Sequence, residues 1–189
     1  MRTYVSIWGL FALLCCTLVV TTSCSNEPEV RKRKEIKKDI KSAETKVTNA
    51  SKAGQVTPEF EASSEELMAA LLEYYHAYPK DKYSAECVTK VHMLHAALNN
   101  VEESVAYGDT LLEQFPKYEN RAQVIESQIQ AYEMLIKPRN VEKIKGYLNM
   151  WLAENKKAPQ QKIEDMKYHL KFVDMSLEER MRMNMEELD

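Results

Sequence analysis

Glycine is scarce in this chain of 189 residues, which contains only four. Three of them, Gly54, Gly108 and Gly146, lie beyond the first twenty residues. Glycine supplies the positive φ of tight hairpin turns and the close backbone approach that phosphate-binding loops need. Its scarcity excludes a β fold with many tight turns and a phosphate-cradling loop. The net charge of −3 also argues against nucleic-acid binding, which usually needs a basic domain.

Cysteine is scarce as well, and three of the four cysteines lie within the first 24 residues. Residues 1–23 combine Arg2, a long apolar run and small residues at the end, a pattern typical of a cleaved export signal. The uncharged stretch is also long enough for a membrane-spanning helix, so an uncleaved anchor is the alternative. After cleavage only Cys24 and Cys87 remain, and we expect Cys87 to be a buried free thiol.

The five residues that end at Cys24 read VTTSC, with an apolar residue first and a small residue before the cysteine. They resemble the lipobox of bacterial lipoproteins, although Thr21 stands where leucine is commonest in that family. Ser25 follows where an aspartate signals inner-membrane retention, and two nearby glutamates resemble the surface-export signal of Bacteroidota lipoproteins. The resemblance implies an outer-membrane lipoprotein that is acylated on Cys24, on either the periplasmic or the surface face.

A basic segment follows, with eight basic and three acidic residues between positions 30 and 46. Its apolar residues recur every three or four positions, which places them on one helical face. We therefore predict that residues 24–62 form the lipidated N-terminus, a basic helical stalk and a flexible linker at Ser51–Ser63. We favour a stripe that rests on the chain's own domain over contact with an anionic membrane. The stripe consists of Ile36, Ile40, Ala43, Val47 and Ala50.

Beyond Ser63, prolines fall between stretches with helical periodicity, and proline ends helices because it lacks an N–H donor. A capping box at Ser63 and Glu66 predicts the start of the first of these helices. The pattern predicts an all-α domain over residues 63–175. The six predicted helices cover residues 64–77, 82–98, 102–115, 119–136, 140–155 and 159–175.

Two sequence patterns recur along this domain. Tyr78-Pro79-Lys80 returns 37 residues later as Phe115-Pro116-Lys117, and the helix opening at 100–107 returns 40 residues later at 140–147. They resemble the tetratricopeptide repeat, whose helix pairs recur about every 34 residues, and are similar to repeat lipoproteins of outer-membrane assembly. The resemblance implies a short solenoid of about three antiparallel hairpins, which binds peptides on the concave face formed by the first helix of each pair.

The last residues, 176–189, predict a capping helix, because Ser176 and Glu179 match another capping box. Solenoids need such a polar-faced cap at their ends. Methionines at 175, 181, 183 and 185 offer an alternative interpretation as an adaptable binding surface, since methionine repacks easily.

Two residue clusters are candidates for partner binding. Tyrosine is favoured at interfaces because its apolar ring carries a polar tip, and the pair His92 and His95 could share one helical face. Zinc needs three or four ligands, so we predict structural histidines, no metal and no cofactor. No catalytic motif occurs, and we predict that the protein is not an enzyme. The tyrosines are Tyr74, Tyr75, Tyr78 and Tyr83.

Three functional hypotheses follow, in order of preference. The first is a lipid-anchored helical-repeat scaffold that binds an envelope protein or peptide. The second is a structural envelope protein that forms homo-oligomers through the stripe on the stalk. The third is a small-molecule or metal binder that uses His92 and His95.

Overall fold

The computed structural model describes residues 31–186, with side chains up to residue 183, and confirms an all-α protein. The described part of the chain contains eight α-helices and no strand. A 3₁₀ turn, Ser51–Ala53, follows the first helix, and a π-helical turn, Ala131–Leu135, extends the fifth. The helices are α1 (Arg33–Ala50), α2 (Pro58–Ala77), α3 (Lys82–Ala97), α4 (Val101–Gln114), α5 (Arg121–Gln130), α6 (Val141–Glu154), α7 (Gln160–Lys171) and α8 (Leu177–Glu186).

The start of α2 differs from the predicted one. The helix begins at Pro58, because the Thr57 hydroxyl accepts a hydrogen bond from the Phe60 N–H and proline suits the first helical position. The capping box predicted at Ser63 and Glu66 is therefore wrong, and half of the predicted linker is helical. The first turn of α2 is poor in apolar residues and therefore resembles a loop in sequence, although Thr57 and Pro58 signal a helix start.

Helix α1, predicted as a stalk, packs against α2 and α3. Ile36, Ile40 and Ala43 are almost inaccessible to solvent, with exposures of 0, 1 and 1%. The described residues, 31–186, accordingly form one compact unit, and the predicted boundary at residue 63 falls inside α2. The apolar stripe of α1 thus packs against the chain's own domain.

Buried positions recur along the chain at regular spacing. Five buried positions of α3 have buried counterparts in α5, each 37 residues later. Three buried positions of α2 recur in α4 after 37 residues and in α6 after a further 40. The second set comprises Leu67, Leu71 and Tyr74, then Ser104, Gly108 and Leu111, then Ile144, Leu148 and Trp151.

The turns that follow α2, α4 and α6 also recur. The C-cap residues of these helices are Tyr78, Phe115 and Asn155. In each turn the N–H of the residue three positions later donates to the carbonyl of the C-cap residue. The N···O distances are 2.9, 3.0 and 3.0 Å. The Pro79 and Pro116 motifs in the sequence thus mark two copies of the same turn, and the third copy at Asn155 forms without a proline at that position.

The apolar interior consists of two clusters that meet at α3. The amino-proximal cluster joins α1, α2 and one side of α3. The carboxyl-proximal cluster joins α3 to α4, α5, α6 and Val173, which lies two residues beyond the end of α7. The amino-proximal cluster is Ile36, Ile40, Ala43, Leu67, Met68, Leu71, Tyr74, Cys87 and Val91. The carboxyl-proximal cluster is Val88, Leu111, Leu112, Val124, Ile125, Ile129, Ile144, Tyr147, Leu148, Trp151 and Val173.

The last helix begins as predicted. The Glu179 N–H donates to Ser176 Oγ at 3.2 Å, and the Ser176 N–H donates to the Glu179 carboxylate at 2.7 Å. This reciprocal pair confirms the capping box at the start of α8. Within the described part of the chain, no helix combines the length and apolar character that a membrane crossing needs. The export signal and Cys24 lie outside the described residues.

Candidate functional site

Three of the four predicted tyrosines form one aromatic cluster. Tyr74 is completely buried, and its ring meets the Tyr83 ring edge-on with centroids 5.0 Å apart and the Tyr78 ring at 5.2 Å. Burial raises the pKa of the Tyr83 hydroxyl to about 12. The cluster is therefore mainly interior packing, and Tyr74 has no surface for a partner.

Basic side chains of α1 cover this aromatic cluster. The Arg33 guanidinium lies 4.6 Å from the centre of the Tyr78 ring, and the Lys37 ammonium lies 4.1 Å from that of Tyr83. The Tyr78 hydroxyl donates to the Arg31 carbonyl at 2.6 Å. Cation–π contacts of this kind contribute about 0.5–1 kcal/mol each at exposed sites. The basic residues of the predicted stalk thus hold α1 on the tyrosines.

The fourth tyrosine, Tyr75, contacts the end of α4. Its hydroxyl donates to Gln114 Oε1 at 2.6 Å, and its ring lies 6.3 Å from that of Phe115. Tyr75 therefore links the end of α2 to the end of α4 and takes no part in the aromatic cluster.

His92 joins three helices. It is 6% exposed, and its Nδ1 lies 2.7 Å from the Ser104 carbonyl while its Nε2 lies 2.8 Å from Ser127 Oγ. Nδ1–H therefore donates to the carbonyl, and Nε2 accepts from the hydroxyl. Both ring nitrogens are used within the fold, which is the geometry of a structural histidine.

His95 does not converge with His92 on a common ligand. Its ring stacks on Tyr107 with an interplanar angle of 9° and centroids 5.4 Å apart. Burial lowers the pKa of His95, so its neutral form is favoured. Among residues 31–183, no group of three or more His, Cys, Asp and Glu side chains is arranged to hold a metal ion.

A cavity of about 350 Å³ lies between α5, its π-helical turn, α7 and α8. We call it the C-terminal cavity. Its size falls in the range of small-molecule sites, about 300–1,000 Å³. Met134 and Met181 are exposed by 50 and 57%, so much of this apolar surface is open to solvent. The apolar wall comprises Ile129, Met134, Tyr168, Leu177 and Met181.

The polar wall of the C-terminal cavity centres on Glu133, which is only 7% exposed. One of its carboxylate oxygens lies 2.5 Å from an Arg180 Nη, and the other lies 2.8 Å from an Arg139 Nη and 3.4 Å from His169 Nε2. The same Arg139 Nη also donates to the Val173 carbonyl at 2.7 Å. Two arginines thus converge on one carboxylate.

Desolvation shapes the charges in this cluster. It lowers the pKa of His169, and the neighbouring Arg180 lowers that pKa further, so the neutral imidazole is favoured. Desolvation also lowers the pKa of Arg180. The buried Nε of Arg139 has no hydrogen-bond partner. With His169 neutral, two guanidinium groups face the Glu133 carboxylate, and the Glu179 carboxylate also interacts electrostatically with Arg139.

Sequence reasoning did not identify this cluster. Glu133, Arg139, His169 and Arg180 span 47 residues, and neither their spacing nor their types mark them as a group. Glu133 lies in the π-helical turn, and such turns are frequent at functional sites, but that turn is visible only in the structure. Comparisons of the chain with known protein families, curated proteins and solved structures found no match.

Proposed function

We propose that this protein is a non-enzymatic bacterial lipoprotein, anchored to the outer membrane through an acylated Cys24. Its helical body is a tetratricopeptide-like scaffold that binds a protein or peptide partner in the cell envelope. The anchor rests on the VTTSC sequence at residues 20–24 and the apolar run before it. The scaffold rests on the repetition in the helical body.

One observation carries the scaffold proposal. The buried positions of α3 and α5, and those of α2, α4 and α6, recur at spacings of 37 or 40 residues. A helix pair that exposes one apolar face must stack on its neighbours, so repetition of the buried stripe is what a stacked array requires. Helix α1 then serves as the first helix of the first pair, in place of a separate stalk.

The proposed partner surface is the one formed by the first helices of the pairs, α1, α3 and α5. Met93 on α3 is 61% exposed, so its apolar side chain is accessible to a partner. Tyr74 and His92 are buried and fix the positions of the helices behind this surface. We assign the partner contact to exposed residues such as Met93.

The alternatives have less support. Self-association was predicted through the stripe of α1, but Ile36, Ile40 and Ala43 are packed inside the chain's own core. A metal or small-molecule site at His92 and His95 would need ring nitrogens that can turn toward one ligand. His92 uses both of its nitrogens within the fold, and His95 stacks on Tyr107.

The anchor is tested by intact mass and membrane fractionation of the wild-type chain and of Cys24→Ala. We expect the wild-type mass to lack residues 1–23 and to carry acyl chains, whereas the variant stays unprocessed. Retention of the full leader in both chains would identify residues 1–23 as a membrane helix and refute the anchor.

The partner surface is tested by photocrosslinking in intact cells, with a photoreactive amino acid at Met93 and, as the control, at Ala106. Ala106 is exposed on α4, a second helix of a pair. We expect a discrete crosslinked species from position 93 and none from position 106. Equal crosslinking at both positions, or none at either, would contradict the proposed surface.

A further inference from the structure

The links between the helices form two edges, one at each end of the helices. The links that follow α2, α4 and α6 lie at the same edge as the start of α1. The Tyr78 hydroxyl, at the end of α2, donates to the Arg31 carbonyl just before α1. The Tyr75 hydroxyl donates to Gln114 at the end of α4. Arg121, at the start of α5, pairs with a carboxylate at the end of α6.

The two edges differ in the sign of their charge. Each link extends from the capping residue at the end of one helix through the first turn of the next. The edge that contains the start of α1 has eleven basic and three acidic residues, whereas the other has five basic and eight acidic ones. We call them the basic edge and the acidic edge. The basic edge comprises residues 31–36, 78–85, 115–124 and 155–163, and the acidic edge comprises residues 51–61, 98–104, 136–144 and 172–180.

A lysine recurs in the three similar turns of the basic edge. Lys80, Lys117 and Lys157 each lie two residues after the residue that caps the preceding helix, and all three are exposed. None of the three pairs with an acidic side chain in the part of the chain that the structure describes. Because the three turns share one backbone hydrogen bond, the repeat places three free ammonium groups along one edge in the same register.

The acidic residues of the basic edge do not cancel its charge. Asp81 caps α3 and pairs with Arg33 at 2.9 Å. Four of the eleven basic residues form ion pairs, which leaves seven exposed lysines against two exposed glutamates, Glu35 and Glu119. Even if the next turn of each helix is included, it adds only Glu86 and Glu113. The lysines other than the recurring three are Lys32, Lys34, Lys82 and Lys156.

The proposed membrane attachment joins the helical domain at the basic edge. Arg31 follows Cys24 by only seven residues. The acidic edge is farther from this entry by the length of a helix, about 27 Å for the 18 residues of α1. An anionic lipid surface favours each nearby lysine about fivefold, and its field fades over about 10 Å. The field therefore attracts the edge nearest the membrane, and that edge carries the free lysines.

We propose that the basic edge binds the phosphate-bearing headgroups of anionic membrane lipids, so that the ends of the helices face the membrane. This inference rests on the attachment at Cys24 proposed above and adds an orientation to it. The contact does not involve the apolar stripe of α1, because that stripe is buried in the core. Met93 lies in the last two turns of α3, toward the acidic edge, so this orientation leaves the partner surface accessible.

The test measures how fast each lysine of the full acylated chain reacts with sulfosuccinimidyl acetate, which does not cross membranes. The chain is bound to vesicles of phosphatidylcholine, alone or mixed about two to one with phosphatidylglycerol, and peptide mass spectrometry gives each rate. We expect Lys80, Lys117 and Lys157 to react at least about fivefold more slowly on the anionic vesicles than on the neutral ones. Lys52 and Lys137, exposed at the acidic edge, should react equally on both.

Two triple variants test whether the recurring lysines bind the headgroups. One carries glutamine at those lysines, and the control carries it at three exposed lysines at or beside the acidic edge. In the first variant Lys82 and Lys156 should lose most of their protection on anionic vesicles, and in the control they should keep it. All six substituted side chains are exposed, so both variants keep the fold. The first set is Lys80→Gln, Lys117→Gln and Lys157→Gln, and the second is Lys52→Gln, Lys137→Gln and Lys171→Gln.

Three results overturn the proposal: equal lysine rates on neutral and anionic vesicles, equal protection of both edges, or protection that survives in the first variant. Flotation with neutral vesicles tests the attachment separately, because phosphatidylcholine has no net charge. A chain that floats but shows no protection refutes the lipid contact and leaves the anchor. A chain that is protected on anionic vesicles but does not float with neutral ones refutes the anchor alone.

Discussion

The amino-proximal and carboxyl-proximal clusters are of similar apolar character, but they differ in where the charges lie. Around the amino-proximal cluster most ion pairs lie at the surface. Lys46 pairs with Glu66 at 2.6 Å, and both side chains are about half exposed. Such pairs contribute little, typically 0–1 kcal/mol. The attachment of α1 therefore depends chiefly on burial of its apolar stripe.

The carboxyl-proximal half brings polar groups into the interior. Gln128 is fully buried and donates to the Val105 carbonyl and to Asp109, and Tyr147 donates to the same Asp109 carboxylate. Arg121 pairs with Glu154 at 2.7 Å and donates to a buried carbonyl. Buried networks fix one arrangement of helices and are costly to disrupt. Similar helix pairs are thus held by apolar burial in both halves, and the carboxyl-proximal half adds buried polar pairing to it.

The largest effect is expected from a charge in the amino-proximal cluster. Ile36→Asp places a carboxylate at a site with 0% exposure, and we expect the free energy of unfolding to fall by more than about 4 kcal/mol. Urea unfolding followed by circular dichroism measures this. Ser42→Asp adds the same charge at an exposed position of α1 and should change stability by less than about 0.5 kcal/mol. A small effect of Ile36→Asp would show that α1 is dispensable to the core.

Cys87 provides a chemical test of the same cluster. Its thiol is fully buried, and burial raises the pKa of Cys87 to about 12. Only the thiolate reacts with iodoacetamide, so at pH 8 we expect alkylation more than about a hundredfold slower in the folded chain than in urea. Peptide mass spectrometry distinguishes Cys87 from the other cysteines. Rapid alkylation of the folded chain would show that α1 does not exclude the reagent from Cys87.

A matched pair of glycines tests the carboxyl-proximal half. A Cβ at Gly108 would lie 2.6 Å from Gln128 Oε1, whereas one at Gly146 meets nothing within 4 Å. We expect Gly108→Ala to destabilise by about 1–3 kcal/mol through overpacking and Gly146→Ala to stabilise by up to about 1 kcal/mol. Thermal unfolding measures both. Gln128→Ala should remove most of the cost of Gly108→Ala, and additive effects would show that the two residues do not interact.

The smallest effect concerns the cap of α3. The backbone N–H of Tyr83 holds the pKa of Asp81 below its ordinary value, and Arg33 lowers that pKa further. Because the pKa of Asp81 is lower in the folded chain than its value of about 3.9 in the unfolded chain, the ionised carboxylate stabilises the folded state at pH values above about 3.9. This contribution is lost as the pH falls through the pKa of the folded state. At pH 7, Asp81→Ala should cost about 1 kcal/mol.

Asp81→Asn serves as the control for this prediction. Asparagine keeps the cap and removes the charge, so it should retain most of the stability at pH 7. Urea unfolding at pH 7 and pH 3 should show a smaller loss of stability on acidification for both variants than for the wild-type chain. An unchanged loss would assign the acid sensitivity to other carboxylates.

The sequence predicts where the helices begin and end better than it predicts what their side chains pack against. For α3, α4 and α6 the predicted ends lie within one residue of the observed ones, because proline, asparagine and aspartate residues punctuate the chain there. The role of α1 was harder to predict, since a stripe spaced like Ile36 and Ile40 fits a coiled coil, a membrane surface or a core equally well. Burial of Gln128 and Glu133 could not be predicted, because their partners are distant in sequence.

The position of α1 also sets a length. Eight residues, 25–32, lie between Cys24 and Arg33, where α1 begins, so the two Cα atoms are nine residue steps apart. Even fully extended, a tether of that length reaches only about 30 Å, roughly the thickness of a bilayer's hydrocarbon core. If residues 24–62 were an extended spacer, the helical domain could lie much farther from the membrane. In a chain acylated on Cys24, the start of α1 therefore stays within about 30 Å of the lipid-bearing residue, so the helical domain stays close to the membrane surface.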